Sequence, residues 1–256
     1  MRLTIPAILI AIAAPTALTA AAADMKSSTP AYVTAAINDP ARKDAAVDDA
    51  HRKIADVMTF AQVKPGQKVV ELIPADGYWT KVFSGIVGTQ GHVYTIWPDQ
   101  YQEYVNESYA EWQGLIATPK YSNVSLLRQP AADFKVPGQV DLVFTAQNYH
   151  DYHDKFMGPV DMAVFDKKVF DALKPGGVFV VIDNVALAGS GFSATDTIHR
   201  VDPEAVKTEV ESVGFVFDGS SDALRNSTDT HTLVSYTAPM SGHNDEFIFR
   251  FRKPSK

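Results

Sequence analysis

Five short, continuously apolar stretches recur along this chain, most of them trailed by apolar residues at helical spacing. The stretches at 68–73, 92–97, 124–127, 140–145 and 178–182 read as buried strands, because a strand covered on both faces needs no polar alternation. Trp79, Val82, Phe83, Ile86 and Val87 form one helical stripe, and Met162, Phe165, Val169 and Leu173 another. Tyr101, Tyr104, Val105 and Trp112 mark a helix between the second and third strands. Asp202-Pro203-Glu204 supplies a cap with proline at the first helical position, ahead of Val206, Val210 and Val213. Asp39-Pro40 repeats that start, ahead of Val47, Ala50, Ile54, Val57 and Ala61. This alternation predicts an α/β fold, Rossmann-like, with helices on both faces of a mostly parallel sheet. Two further apolar runs, 215–217 and 247–251, have no clear helix between them. The sheet is therefore predicted to have seven strands, the last antiparallel.

The ends of the chain set the domain plan. Met1-Arg2, a nearly unbroken apolar run at 3–18 and alanines at 20–23 before Asp24 have the pattern of a secretory signal peptide cleaved near Ala23. Residues 24–38 read as a flexible arm and 39–256 as one domain. Cleavage leaves no stable membrane anchor and predicts a periplasmic or secreted protein. With no cysteine, disulfides, thiolate metal sites and cysteine nucleophiles are excluded. A net charge of −7 argues against a nucleic-acid partner, which leaves a small molecule as the expected substrate. Nothing in the pattern fixes an oligomeric state.

Chemistry-bearing residues gather after the fourth and fifth strands. His150-Asp151-Tyr152-His153-Asp154 directly follows the fourth. His150 or Asp151 suits a general base. His150 and His153, three apart, share a face on a helical turn as a metal pair would. The plain alternative is a capped helix start, and no metal is assigned. His199 and Arg200 follow the fifth strand and a glycine-bearing loop at 188–192. Arg200 either grips a carboxylate or phosphate with its fork or closes a salt bridge. Asp222, Arg225, Asn226, Asp229 and His231 read as a solvated loop, with a substrate lid as the competing reading. There is neither a G-x-S-x-G elbow nor a G-x-x-x-x-G-K-[ST] phosphate loop.

The runs "VKPGQKVVEL", "GHVYTI", "DFKVPGQVDLVFT" and "LKPGGVFVVID", in this order and spacing, resemble the class I S-adenosylmethionine (SAM)-dependent methyltransferases. "YHD", "HRVDPEAVKTEVESVGFVFDGSSDALRN" and "FRFRKP" resemble an exported bacterial group of predicted methyltransferases, over roughly residues 40–256. The resemblance implies SAM as cofactor and methyl transfer to a small acceptor; the clusters after the fourth and fifth strands supply His150, Asp151, His199 and Arg200 as the candidate catalytic residues. It implies SAM contacts at Glu71, Pro74, Ala75, Asp76, Gly77 and Tyr78, near adenine at Asp133, and at Gln147 beyond the fourth strand. Trp97 stands where an acid normally holds the ribose, so stacking on adenosine is its implied role. Two glycines of the usual loop are replaced by Ile73 and Ala75. With those departures, a methyltransferase fold turned to other chemistry, metal-assisted or not, and a non-catalytic periplasmic binding protein stay open beside methyl transfer.

Overall fold

The computed structural model describes residues 28–256, and the backbone alone over 102–108. The signal peptide and the start of the arm lie outside the described residues, as do the side chains of Tyr104 and Val105.

The apolar runs become the strands β1 (Lys68–Leu72), β2 (His92–Pro98), β3 (Val124–Gln129), β4 (Val140–Ala146) and β5 (Leu173–Asn184). β6 (Val216–Ser221) and β7 (Glu246–Arg252) complete one sheet in the order β3-β2-β1-β4-β5-β7-β6. The first five pair in parallel, and β7 runs antiparallel to both β5 and β6. The predicted fold class holds. β1 and β4 lie side by side at the centre, so the loops leaving their carboxyl ends open on one edge, where open α/β sheets receive ligands.

Helices α1 (Ala31–Ile37), α2 (Ile54–Ala61), α3 (Tyr78–Val87) and α4 (Gln102–Ile116) precede β3 in the chain, and α5 (Met162–Ala172), α6 (Thr195–Ile198) and α7 (Pro203–Ser212) follow β4. Two apolar clusters result, one on each face of the sheet. Val82, Phe83 and Ile86 of α3 pack with Phe144 and Ile248 in one; Phe165 and Val169 of α5 pack with Phe179 and Phe251 in the other. At about 25 cal/mol for each Å² of apolar surface removed from water, these clusters are the main stabilising term of a chain without disulfides.

Two expectations near the start of the domain are corrected. Part of the supposed arm is α1, whose Val33 and Ala36 are buried in the cluster that holds α3. The helix expected from Asp39-Pro40 is broken into short 3-10 turns, and α2 begins only at Ile54. Lys53 has φ 47°, in the left-handed region, which ends any helix running into it. That break lets residues 48–52 bend over the carboxyl edge of the sheet.

Candidate active site

A cavity of about 940 Å³ opens on the carboxyl edge. Gln147, His150, Asp151 and Asp154 from the turn after β4 line it, with Asn184 from the end of β5 and His199 from the end of α6. Asp48, His51 and Arg52 close it on one side, and Tyr236 and residues 241–244 on another.

The turn after β4 explains the density of charge. Gln147 has φ 61°, a left-handed residue that reverses the chain at the strand end. Its amide hydrogen-bonds the Ile182 carbonyl at 2.8 Å, and its side chain donates to Glu246 at 2.7 Å. A 3-10 turn then runs over His150–His153, pointing His150 and Asp151 to the edge. Asp183, the last acid of β5, receives the His150 backbone N–H at 2.9 Å and stands 2.8 Å from its Nδ1. It also takes the Asn184 N–H at 2.8 Å. So fixed, Asp183 orients the imidazole and leaves Nε2 aimed at the cavity.

That Nε2 is 3.2 Å from an Asp151 oxygen and 3.2 Å from Nδ1 of His199. Nδ1 of His199 is in turn 3.7 Å from Asp151. His199 sits at φ 52°, capping α6, and its ring stands edge-on to Tyr236. The Tyr101 hydroxyl donates to Asp151. Burial works against a charged His150, yet the carboxylates of Asp183 and Asp151 outweigh it and hold its pKa well above the ordinary value. Burial likewise opposes an ionised Asp151, but hydrogen bonds from His150, His199 and Tyr101 bring its pKa down to about 2.

Of the predicted site residues, His150, Asp151, His199 and Gln147 come together here. Arg200 does not. It is wholly buried, its fork taken by Asp229 at 2.8 Å, Asn244 at 3.0 Å and the carbonyls of Val185 and Leu233 at 2.9 and 2.8 Å. A guanidinium with every donor satisfied has none left for a ligand; the salt-bridge reading is the one observed. Asp229 consequently belongs to a buried network, while Asp222 and Arg225 stay exposed as a solvated loop would have them, and Arg225 and His231 both reach Asp245. His153 turns away to Glu209 at 3.0 Å and stacks on Phe192, so the His150–His153 metal pair is not formed.

Apart from Gln147, the residues assigned to SAM form a second, separate group. The turn after β1 holds Ile73 at φ 50°, Ala75 at φ 48° and Gly77 at φ 76°. Three alternate residues thus keep left-handed backbone, the conformation for which glycine is ordinarily used. Ile73 is held by its N–H on the Ile96 carbonyl at 2.9 Å and its own carbonyl on the Asn148 amide at 3.1 Å. Yet none of Glu71, Pro74, Ala75, Asp76, Gly77, Tyr78, Trp97 or Asp133 lines the cavity. Glu71 is buried and bonded by Thr80, and burial raises its pKa to about 8. Tyr78 was predicted to face the cleft; it is buried, with its hydroxyl on Asp49 at 2.7 Å and Arg52 over its ring. Trp97 lies under α4 against Tyr109 at 1% exposure, unavailable for stacking on a ligand. Asp133 is on the surface, paired with Lys135 and Lys168. Of these positions Glu71, Tyr78 and Trp97 are buried, whereas Ala75 and Asp76 face solvent.

Three residues that sequence reading left unassigned belong to the site: Asp183, Asp154 and Arg52. The first had a signal, an acid closing the buried run of β5 at the carboxyl edge. Arg52 had none, since its place depends on the broken helix before α2.

No family profile matches the sequence, and no curated protein does. Solved structures do match in fold. A SAM-dependent methyltransferase from Aquifex aeolicus is 18% identical, with TM-score 0.55 over 85% of this chain and 95% of that one. Fibrillarin from Aeropyrum pernix, solved with natively bound SAM, is 14% identical, with TM-score 0.51 over 80% and 76%. The [4+2]-cyclase SpnF is 14% identical, with TM-score 0.55 over 82% and 83%. At these identities the likeness establishes the methyltransferase-like fold, and a fold by itself does not carry an activity.

Proposed function

We propose that the protein is an enzyme of methyltransferase-like fold that takes a small molecule into the cavity at the carboxyl edge. It acts on that molecule through His150, Asp151 and His199. The observation that carries this reading is the Asp183–His150–Asp151 arrangement. A histidine oriented at Nδ1 by a buried acid presents Nε2 to a cavity that also holds a second histidine. Such a set can hold a polar group of the substrate and pass a proton to or from it. The leader at residues 1–23 supports export, and we place the reaction outside the cytoplasm.

The residues of the usual trough do not fit SAM: Ile73 and Trp97 are buried, and the ribose acid is replaced. The chemistry is accordingly assigned to the cavity residues alone. That one structural neighbour is named a [4+2]-cyclase supports a reaction other than methyl transfer on this architecture. A second reading, methyl transfer from SAM lodged in the cavity, is favoured by the left-handed triplet at 73, 75 and 77, which keeps the backbone of a nucleotide loop.

Calorimetric titration of the mature chain with SAM and with its demethylated product separates the two. Heat that persists in the wild type and disappears in Ser241→Trp, a substitution at the cavity rim, would establish the second reading. For the first, a thermal-shift screen of small metabolites is the test. Ligands that raise Tm in the wild type but not in Ser241→Trp support it. A set of hits unaffected by that substitution would remove the cavity from consideration.

A further inference from the structure

We propose that His150, Asp151, Asp154 and His199 form a binding site for one divalent transition-metal cation on the floor of the cavity. The inference deepens the reading above and rests on it only for the identity of the site. One donor atom from each of the four residues lies within 4.8 Å of the others. The set is two imidazole nitrogens and two carboxylate oxygens, a mixture that suits Zn²⁺, Mn²⁺ or Fe²⁺.

The distances bear this out. Metal–ligand bonds of about 2.0–2.2 Å place neighbouring donors about 2.8–3.6 Å apart in tetrahedral or octahedral geometry. Of the edges among His150 Nε2, His199 Nδ1 and Asp151, two are 3.2 Å, inside that range, and the third is 3.7 Å, just beyond it. Asp154, the fourth donor, has a ligand oxygen within 4.8 Å of the other three donor atoms.

Two independent features point the same way. Oδ1 of Asp154 is buried without a hydrogen-bond partner, in a residue only 2% exposed. A carboxylate oxygen withdrawn from water and given no donor is costly unless a cation meets it. Second, Asp183 accepts from the Nδ1 side of His150. A carboxylate on the far nitrogen of a histidine fixes the tautomer that offers Nε2 to a metal and strengthens it as a ligand. The His199 ring, 30% exposed, stands on the cavity side, so an ion here meets whatever the cavity admits. The ligand class that follows is an oxygen-bearing molecule, a carboxylate, hydroxyl or phosphate, able to take an open coordination position.

The test uses the full mature chain, free of any histidine tag. Metal content is measured on the purified protein. The chelator-stripped protein is then titrated with Zn²⁺ and Mn²⁺ against a chromophoric chelator, with Mg²⁺ as control. One equivalent bound is the expected result, with weak or no Mg²⁺ binding. His199→Ala and the isosteric Asp154→Asn each lower the affinity at least about 100-fold, and Asp183→Asn lowers it about 10- to 100-fold by releasing the imidazole. Circular dichroism of Asp154→Asn keeps folding and binding distinct. Absence of stoichiometric Zn²⁺ and Mn²⁺ binding, or binding that survives Asp154→Asn and His199→Ala, overturns the site. Because this readout is metal content, it succeeds or fails independently of the SAM titration and the metabolite screen.

Discussion

Two turns leave neighbouring strands at the same sheet edge and have met opposite fates. After β1, residues 73–77 hold a glycine-loop backbone whose left-handed positions carry Ile73 and Ala75 as well as Gly77. Its flanking groups are consumed internally: Glu71 by Thr80, Tyr78 by Asp49, Ile73 by burial. After β4, one left-handed residue, Gln147, leads into a turn whose His150, Asp151 and Asp154 line open space. The comparison teaches that backbone conformation and ligand access are separable. Sheet pairing and the bonds to Ile96 and Asn148 preserve the first turn's shape, while the charged groups facing the cavity belong to the second.

The comparison breaks first if the open side does not depend on its buried support. Arg200 binds the segment carrying His199 to residues 229–245, which form the opposite wall. Removing one member of a fully buried ion pair strands the other. Arg200→Ala is therefore expected to lower unfolding free energy by about 3–5 kcal/mol, measured by urea denaturation. A loss below about 1 kcal/mol would mean that this wall is held by something else.

Next in size comes the closed side. A Cβ at Gly77 would stand 2.7 Å from the Trp112 ring, and the residue has φ 76°. Valine adds both the left-handed penalty and that overlap. Gly77→Val should cost about 3 kcal/mol by the same assay, and an unchanged midpoint would show that the turn is looser than its packing implies.

Glu71 offers a sharper, pH-resolved probe of the closed side. Burial lifts its folded pKa from the ordinary 4.5 to about 8. Between those values the folded state keeps a proton that the unfolded state has lost. This contribution is therefore fully present below about pH 4.5 and is lost as pH rises toward about 8. Wild type should lose stability between pH 5 and pH 8, and Glu71→Gln should lose roughly 3–4 kcal/mol less over that interval. Parallel pH profiles for the two proteins would indicate that the carboxyl is reached by solvent or a cation.

How far sequence alone could reach follows from the same contrast. The alternation of strands and helices and the antiparallel β7 were legible because each rests on periodicity and on short-range signals such as Asp202-Pro203. His150, Asp151, His199 and Gln147 were legible because they follow strands whose carboxyl ends must share an edge. Arg200 was not, because whether a guanidinium meets a ligand or a buried acid depends on Asp229 and Asn244, distant in sequence. Tyr78 and Trp97 were placed in the cleft by resemblance, and their burial depends on α4 and on the segment before α2. The break of that segment at Lys53 is a backbone feature with no periodic signature. Asp154 was visible in the quoted cluster but not distinguished from a cap. Its role depends on the approach of His199 from beyond β5.

The smallest effect discriminates most finely between strain kept for a purpose and strain left over. Ala75 is exposed, with φ 48°, and lines no cavity. A left-handed alanine costs about 1–2 kcal/mol. Glycine removes that cost but gives back roughly 0.4–1 kcal/mol through the freer unfolded chain. Ala75→Gly should therefore stabilise by about 0.5 kcal/mol, seen as a small rise in urea midpoint at constant slope. The same change at Ile73 has the opposite sign, because the buried side chain contributes more than its backbone strain removes. If Ala75→Gly instead destabilises the protein, the left-handed triplet is supported by contacts of the Ala75 methyl, and the first turn is a built feature rather than a retained backbone.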